Sequence, residues 1–263
     1  MDVITSRTNQ TVRLVTSLTK RRSVREREQL FVVEGLRAIQ GLIEHGCRLV
    51  YLLIDDERRA DVPPSLPEEA DRQDARVLAV DPSIFLELSD VETPQPVIGV
   101  FRIPHQPLPG RPRKLVALDG IQDPGNMGSI LRTCRAAGID GVLVLRGTVD
   151  PYSPKVVRAT AGLFASLPLQ MLDSIDDIQK QEWALPDQIV IADGNAPTRH
   201  TDLDWTVPHI LVLGSEGSGT RHQWQSLATA SVRIDMEPGV DSLNVAAAAA
   251  VLIFEVRRQY ALI

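Results

Sequence analysis

Only two of the 263 residues are cysteines, Cys47 and Cys134. That is too few for a disulfide framework, and neither has the spacing of a zinc site. Both read as buried thiols of a cytoplasmic protein. The five histidines are scattered without metal-ligand spacing, so no metal centre is expected. Aromatic residues make up 4% of the chain while aliphatic residues abound, which suits α/β packing rather than a sandwich. No apolar run reaches membrane-spanning length, and the opening MDVITSRTNQTVRL holds no hydrophobic signal segment. A membrane partner is therefore not expected.

The formal charge of −6 argues weakly against a nonspecific polyanion binder. Charge is segregated, however. Between Met1 and Arg37 there are eight basic residues (Arg7, Arg13, Lys20, Arg21, Arg22, Arg25, Arg27, Arg37) against four acids. The run from Lys20 to Arg27 is too charged to be core; a solvated helical face would explain it as well as a binding surface does.

The chain is organised around Leu118 to Leu145, LDGIQDPGNMGSILRTCRAAGIDGVLVL. An apolar run ends at Asp119-Gly120, a polar turn follows, and apolar residues recur at helical spacing at Met127, Ile130, Leu131 and Cys134. Gly138 stops the helix and Gly141 to Leu145 resumes a buried strand. Such a βαβ unit favours a parallel sheet and an α/β domain. Asp119, Gln122, Asp123 and Asn126 crowd the strand's carboxyl end, where open α/β sheets place ligands. The unit lacks G-x-G-x-x-G and G-x-x-x-x-G-K-[ST], so neither a Rossmann nor a P-loop site is indicated.

Strand and helix alternate before this unit. A helix is expected over residues 8–20, strands over 30–33, 49–54, 77–80 and 97–101, and helices over 36–43 and 82–88. The first 103 residues thus form a small α/β domain. The stretch IPHQPLPGRPRK, with four prolines and a glycine, cannot continue a helix or a central strand, and residues 104–114 read as a linker. Residues 115–263 form the second domain. It holds helices over 155–165 and 175–183, strands over 189–192, 210–213 and 232–234, and a closing helix from Asp241 to Tyr260 with Asp241 or Ser242 near its N-cap.

Two further polar clusters sit at strand ends. Gly214-Ser215-Glu216-Gly217-Ser218-Gly219 brings backbone close to a ligand or makes a flexible turn. The other runs from Ile234 to Val245 and leads into five consecutive alanines, whose smooth helix face permits close packing. Ser242 and Asn244 taken singly read as capping groups.

In order and spacing the three clusters are more specific. N-x-G-x-x-x-R (Asn126 to Arg132), L-G-S-E-G-x-G (Leu213 to Gly219), then I-x-M (Ile234 to Met236) with S-L-N-V (Ser242 to Val245) resembles the SpoU (TrmH-like) RNA ribose 2′-O-methyltransferases. The resemblance covers about residues 115–262 and includes Thr160-Ala161-Gly162 and Leu167-Pro168-Leu169. The part around Phe31-Val32-Val33-Glu34-Gly35 is similar to that family's small RNA-binding domain. The resemblance implies an α/β domain with a deep trefoil knot, binding of S-adenosyl-L-methionine in the knotted loops, and a homodimer. It places Gly214, Ile234, Met236 and Leu243 at the cofactor, largely through backbone. Asn126, Arg132, Glu216, Ser242 and Asn244 fall at the catalytic centre, and Lys20, Arg21, Arg22 and Arg25 on RNA phosphates. Ribosomal RNA is favoured as substrate because of the separate N-terminal domain. A tRNA substrate, or a non-catalytic RNA-binding protein on the same fold, are the alternatives. Two departures stand out: Asp235 occupies the place of a frequent proline, and Ala246 that of a frequent serine.

Overall fold

The computed structural model describes residues 3–160, 162–183, 185–215 and 219–262. The first elements are β1 Val3–Ile4, α1 Gln10–Lys20, α2 Arg22–Glu28, β2 Leu30–Glu34, α3 Leu36–Glu44 and β3 Leu49–Asp55. They are followed by α4 Ser65–Arg72, β4 Arg76–Val80, α5 Pro82–Leu88, β5 Val97–Arg102, β6 Lys114–Asp119 and α6 Pro124–Ala137. Next come β7 Gly141–Leu145, α7 Pro154–Thr160, β8 Leu169–Leu172 and β9 Gln188–Ala192. The chain ends with β10 Thr198–Arg199, β11 His209–Gly214, α8 His222–Leu227, β12 Ala230–Arg233 and α9 Val245–Tyr260.

These elements form two compact units, one of residues 1–104 with 150–165, the other of residues 105–149 with 166–263. Sequence pattern alone assigns 150–165 to the second domain. These residues pack in the first unit because Tyr152 and Phe164 close an aromatic cluster on Phe31, each ring centroid 5.7 Å from that of Phe31. Gly162 there has φ +81 and approaches the chain so closely that a Cβ would lie 3.2 Å from the Ala38 carbonyl oxygen.

The first unit carries a five-stranded sheet in the order β1-β4-β3-β5-β2, with β5 antiparallel to both its neighbours. Val12, Val15 and Leu18 of α1, Val24 of α2 and Ile84, Phe85 and Leu88 of α5 cover one face.

The second unit is a seven-stranded sheet in the order β10-β12-β9-β11-β6-β7-β8, parallel at every pairing. A parallel sheet covered on both faces needs continuous apolar strands, and Leu115 to Leu118 and Val142 to Leu145 are fully buried. Parallel pairing also gathers the strands' carboxyl ends on one edge: Gly214 stands opposite Asp119, and Val232 opposite Ala192.

Three expected helices differ. Residues 175–180 form one 3-10 segment rather than a helix to Trp183. The helix of 154–160 gives way to a 3-10 turn, Leu163–Ser166. The closing helix begins at Val245, with Asn244 as N-cap in place of Asp241 or Ser242.

Arg25, expected on RNA, is instead 5% exposed. Its Nε donates to Asp150 Oδ2 at 2.6 Å, and its NH1 donates to the carbonyl of Leu18. A guanidinium with that many buried acceptors belongs to the interior of the unit, so the basic run supplies a staple rather than a phosphate contact. Breaking a buried ion pair costs about 3–5 kcal/mol, because one charge is left uncompensated. Asp150→Asn should accordingly lower the stability of the first unit by that order in urea unfolding, and a joint Arg25→Met, Asp150→Leu replacement should recover much of it.

Candidate active site

Three segments distant in sequence converge at the carboxyl edge of the parallel sheet. A cavity of about 570 Å³ is lined by Asp193, Gly194, Ile234, Met236, Ser242 and Leu243, among others. An adjoining lobe is lined by Leu213, Gly214, Gly219, Thr220, Leu243 and Asn244, and shares Asp193, Gly194, Ser242 and Leu243 with the first. The volume lies within the usual range of ligand sites, about 300–1,000 Å³. All four expected cofactor residues, Gly214, Ile234, Met236 and Leu243, line this space.

Helices α6 and α9 bring their N-termini together beside it. Asp123 caps α6 by accepting from the Asn126 amide at 2.7 Å, and Asn244 caps α9 by accepting from Ala246 N at 2.9 Å. With its Oδ1 so engaged, Asn244 donates through Nδ2 to Asn126 Oδ1 at 3.0 Å. One hydrogen bond therefore couples two motifs 118 positions apart. The helices run alongside each other, since Arg257 NH1 donates to the Ala137 carbonyl near their far ends at 3.4 Å. Two adjacent helix N-termini present free amides and positive dipole ends, an environment that favours negative charge.

The remaining expected catalytic residues differ in placement. Ser242 is exposed and lines both lobes. Arg132 is exposed on α6, lines neither lobe, and forms no ion pair among the described residues. Glu216 lies outside the described residues.

The Gly214 loop is shaped by close approach. Ser215 N donates to Gly219 O at 3.1 Å and Gly219 N returns to Ser215 O at 2.9 Å, closing the neck of the loop. A Cβ on Gly214 would lie 2.3 Å from the Gly219 carbonyl carbon. The close approach at Gly214 is thus to the loop's own returning backbone at Gly219 and Thr220.

Sequence reasoning misses what holds this loop from behind. Asp119, which the sequence places in a ligand-facing polar crowd, is 2% exposed. It accepts from Trp224 Nε1 at 2.9 Å and pairs with Arg221 Nε at 2.8 Å, while Arg221 NH2 donates to the Arg146 carbonyl. Asp119 thus clasps the segment that follows the loop. The turn Asp193-Gly194-Asn195 is missed too, although its signal is there: it follows an apolar strand in the same way as the other clusters.

The departure at Asp235 has a local explanation. Its carboxylate pairs with Arg199 and Arg233, each at 3.0 Å, so its charge is compensated at the rim of the cavity. At Ala246 the backbone amide, not a side chain, makes the contact to Asn244.

Of the residues expected on RNA, Lys20 and Arg21 are exposed. Arg22 pairs with Glu26 at 2.7 Å, and Arg25 is the buried staple.

Forcing a side chain into a filled site costs about 1–3 kcal/mol, and each 1.4 kcal/mol is roughly tenfold in affinity. Gly214→Ala should open the neck of the loop and weaken S-adenosyl-L-methionine binding about tenfold or more in calorimetry. Wild-type affinity in that variant would show that the neck does not shape the cavity.

Comparison with known proteins places this geometry. Residues 113–254 match the model of the SpoU rRNA Methylase family, and residues 9–99 match an MRM3-like substrate binding domain. The 23S rRNA (uridine(2479)-2′-O)-methyltransferase of Streptomyces viridochromogenes is 31% identical over 90% of this chain and 86% of its own length. The 23S rRNA (guanosine(2553)-2′-O)-methyltransferase of Bacillus subtilis is 27% identical over 89% and 90%. The crystal structure of the SpoU methyltransferase AviRb from Streptomyces viridochromogenes with AdoMet aligns with a TM-score of 0.86 at 30% identity, covering 96% of this chain and 98% of that one. The AdoMet-bound rRNA methyltransferase of Sinorhizobium meliloti aligns at 0.84 and 29%, covering 98% and 97%. With its N-x-G-x-x-x-R helix, its closed glycine loop and its Asn244-capped helix gathered at one sheet edge, the chain belongs to the SpoU rRNA Methylase family.

Proposed function

We propose that this protein transfers a methyl group from S-adenosyl-L-methionine to a ribose 2′-hydroxyl of RNA, with 23S ribosomal RNA as substrate. The observation that carries the reading is the convergence of Gly214, Ile234 to Leu243 and the Asn126–Asn244 pair at one edge. The Streptomyces and Bacillus relatives are 23S rRNA 2′-O-methyltransferases by name, and each aligns over nearly its full length.

The residues present fit the cofactor. Gly214 lies where backbone alone can approach, and Leu243, Ile234 and Met236 give the cavity an apolar wall. Bound there, S-adenosyl-L-methionine supplies an activated methyl on a positively charged sulfur. The chain's own task is alignment, and holding reacting groups in register can lower a barrier by about 7–11 kcal/mol at best. Asn126 and Asn244 fix the two helix ends against each other, so the floor of the site is set by a hydrogen bond rather than by loop packing alone. Ser242, exposed at the mouth, is positioned to meet the ribose.

Arg132 orients the 2′-oxygen or an adjacent phosphate. A guanidinium holds its proton tightly and is a poor base. The ribose oxygen would gain the new carbon–oxygen bond as the donor's carbon–sulfur bond breaks, and its proton would pass to solvent water, so no protein base is required. Glu216 is assigned to the catalytic centre by its motif position alone.

The same reading includes a trefoil knot and a homodimer in the cytoplasm. In support of the knot, residues 234–243 line the first lobe with Asp193 and Gly194, and Ser242 and Leu243 go on to line the second with Gly214, Gly219 and Thr220, so turns far apart in sequence are gathered in one place. In support of the dimer, α9 leaves Val251 and Phe254 exposed, 40% and 48%. Cys47 and Cys134 are free and buried, and burial pushes the Cys47 thiol up to about 11, which suits thiols kept reduced.

Labelled S-adenosyl-L-methionine with deproteinised 23S ribosomal RNA should give alkali-resistant dinucleotides, the signature of a blocked 2′-hydroxyl. Arg132→Ala should abolish that turnover while calorimetry shows cofactor affinity nearly unchanged. No transfer by the wild type to ribosomal RNA or its precursors would overturn the reading, and loss of cofactor binding in Arg132→Ala would make Arg132 structural.

A further inference from the structure

Of the arginines that the sequence expects on RNA, Arg22 and Arg25 are already paired, and three others that it does not single out, Arg48, Arg76 and Arg102, form no ion pair among the described residues. Arg48 precedes β3 and Arg102 ends β5, and the Arg102 amide donates to the Arg48 carbonyl at 2.9 Å. The next pair along the ladder is Leu49 opposite Phe101, so Arg48 and Arg102 are direct cross-strand neighbours on the other face. In β5, Arg102 shares its face with Ile98 and Val100, which belong to the core under α1, α2 and α5. Arg76 shares that face with Val80 of β4, and its guanidinium lies 5.9 Å from the centroid of the Tyr51 ring. Tyr51 stands directly opposite Arg76 in the β3–β4 ladder.

All three arginines are exposed, and none forms an ion pair among the described residues. Like charges directly opposite each other across a ladder are destabilising, a cost that an anion between them removes. The nearby carboxylates do not supply one. Glu28 is held by Arg27 at 2.9 Å, and Asp74, in the turn before β4, makes no ion pair among the described residues.

The other end of this sheet has the opposite character. Glu34, Asp55, Asp56, Asp61, Asp81 and Asp90 gather where β2, β3 and β4 finish. The cations there are engaged: Arg58 with Asp61, Arg59 with Asp56, and Arg158 with Asp90. Arg37 alone, in the first turn of α3, is exposed there without an ion pair among the described residues. An RNA strand is repelled from that end and admitted at the arginine end.

Resting on the RNA reading above, we infer that Arg48 and Arg102, extended by Arg76 and Tyr51, form the phosphodiester-binding surface of the N-terminal unit. Arginine forks match phosphate oxygens. Tyr51 packs against the core and lies under the Arg76 guanidinium, so it holds that cation in place at the arginine end.

The test is filter binding of deproteinised 23S ribosomal RNA across a salt series. The slope of log affinity against log salt falls by roughly 0.7–0.9 for each phosphate that is no longer neutralised. An Arg48→Ala, Arg102→Ala double variant should therefore show a slope shallower by about 1.4–1.8 and markedly weaker binding at low salt. Arg48→Lys with Arg102→Lys should keep most of the slope, and Arg58→Ala with Arg59→Ala should leave it unchanged. Cofactor affinity in calorimetry should be the same in all of them, which separates a folding defect from the removal of a phosphate partner. A wild-type slope in the double alanine variant, with its fold intact, overturns the proposal. Failure of the wild type to methylate RNA would sink the enzymatic reading instead, and would leave the slope result standing by itself.

Discussion

The active edge depends on how closely two stretches of backbone can pass. Gly214 ends the central strand β11 with the returning Gly219 backbone where its side chain would be, and the loop closes by reciprocal amide–carbonyl bonds between Ser215 and Gly219. Everything nearby is arranged against that closed neck. Asp119, beside Gly214 in the ladder, anchors the exit of the loop through Trp224 and Arg221. Leu243 and Asn244 line the lobe on its other side. At Gly214 the lobe is walled by main chain rather than by a side chain, so at that point ligands are distinguished by shape and by amide and carbonyl direction.

Rigidity is what such a site gains. The Asn126–Asn244 hydrogen bond joins the first turns of two helices that run side by side, each already capped by its own side chain. Asn244 has little spare freedom: its oxygen is committed to the helix and its amide nitrogen to Asn126. The Asn126 and Asn244 side chains are thus fixed against each other before any ligand arrives, and under the proposed reading that is a form of preorganisation.

Much of this is legible in the sequence, for a physical reason. Polar clusters at the ends of apolar strands have few explanations, and three of them in a parallel sheet must share an edge. Gly214, Ile234, Met236, Leu243 and Asn244 can be placed on that ground and by motif. What stays illegible depends on pairings across distance. Arg25 reads as one more cation in a basic run, and only Asp150, 125 positions on, removes it from the surface. Asp119 looks like a ligand-facing acid until Trp224 and Arg221 are seen to occupy it. Arg48 and Arg102 carry no local signal, because their proximity comes from strand register alone. The start of α9 is misplaced for a smaller reason: Asp241, Ser242 and Asn244 are all good caps, and the loop geometry chooses the last.

The contribution of residues 150–165 to the N-terminal unit has a consequence for the growing chain. Domains generally form one after another as they leave the ribosome. Here the N-terminal unit cannot seat Phe31 against Tyr152 and Phe164, or neutralise Arg25, until synthesis has passed β6, α6 and β7 of its neighbour. Its birth is therefore delayed until part of the second sheet has been translated. The two units emerge as interleaved halves of one biosynthetic event rather than as beads in sequence.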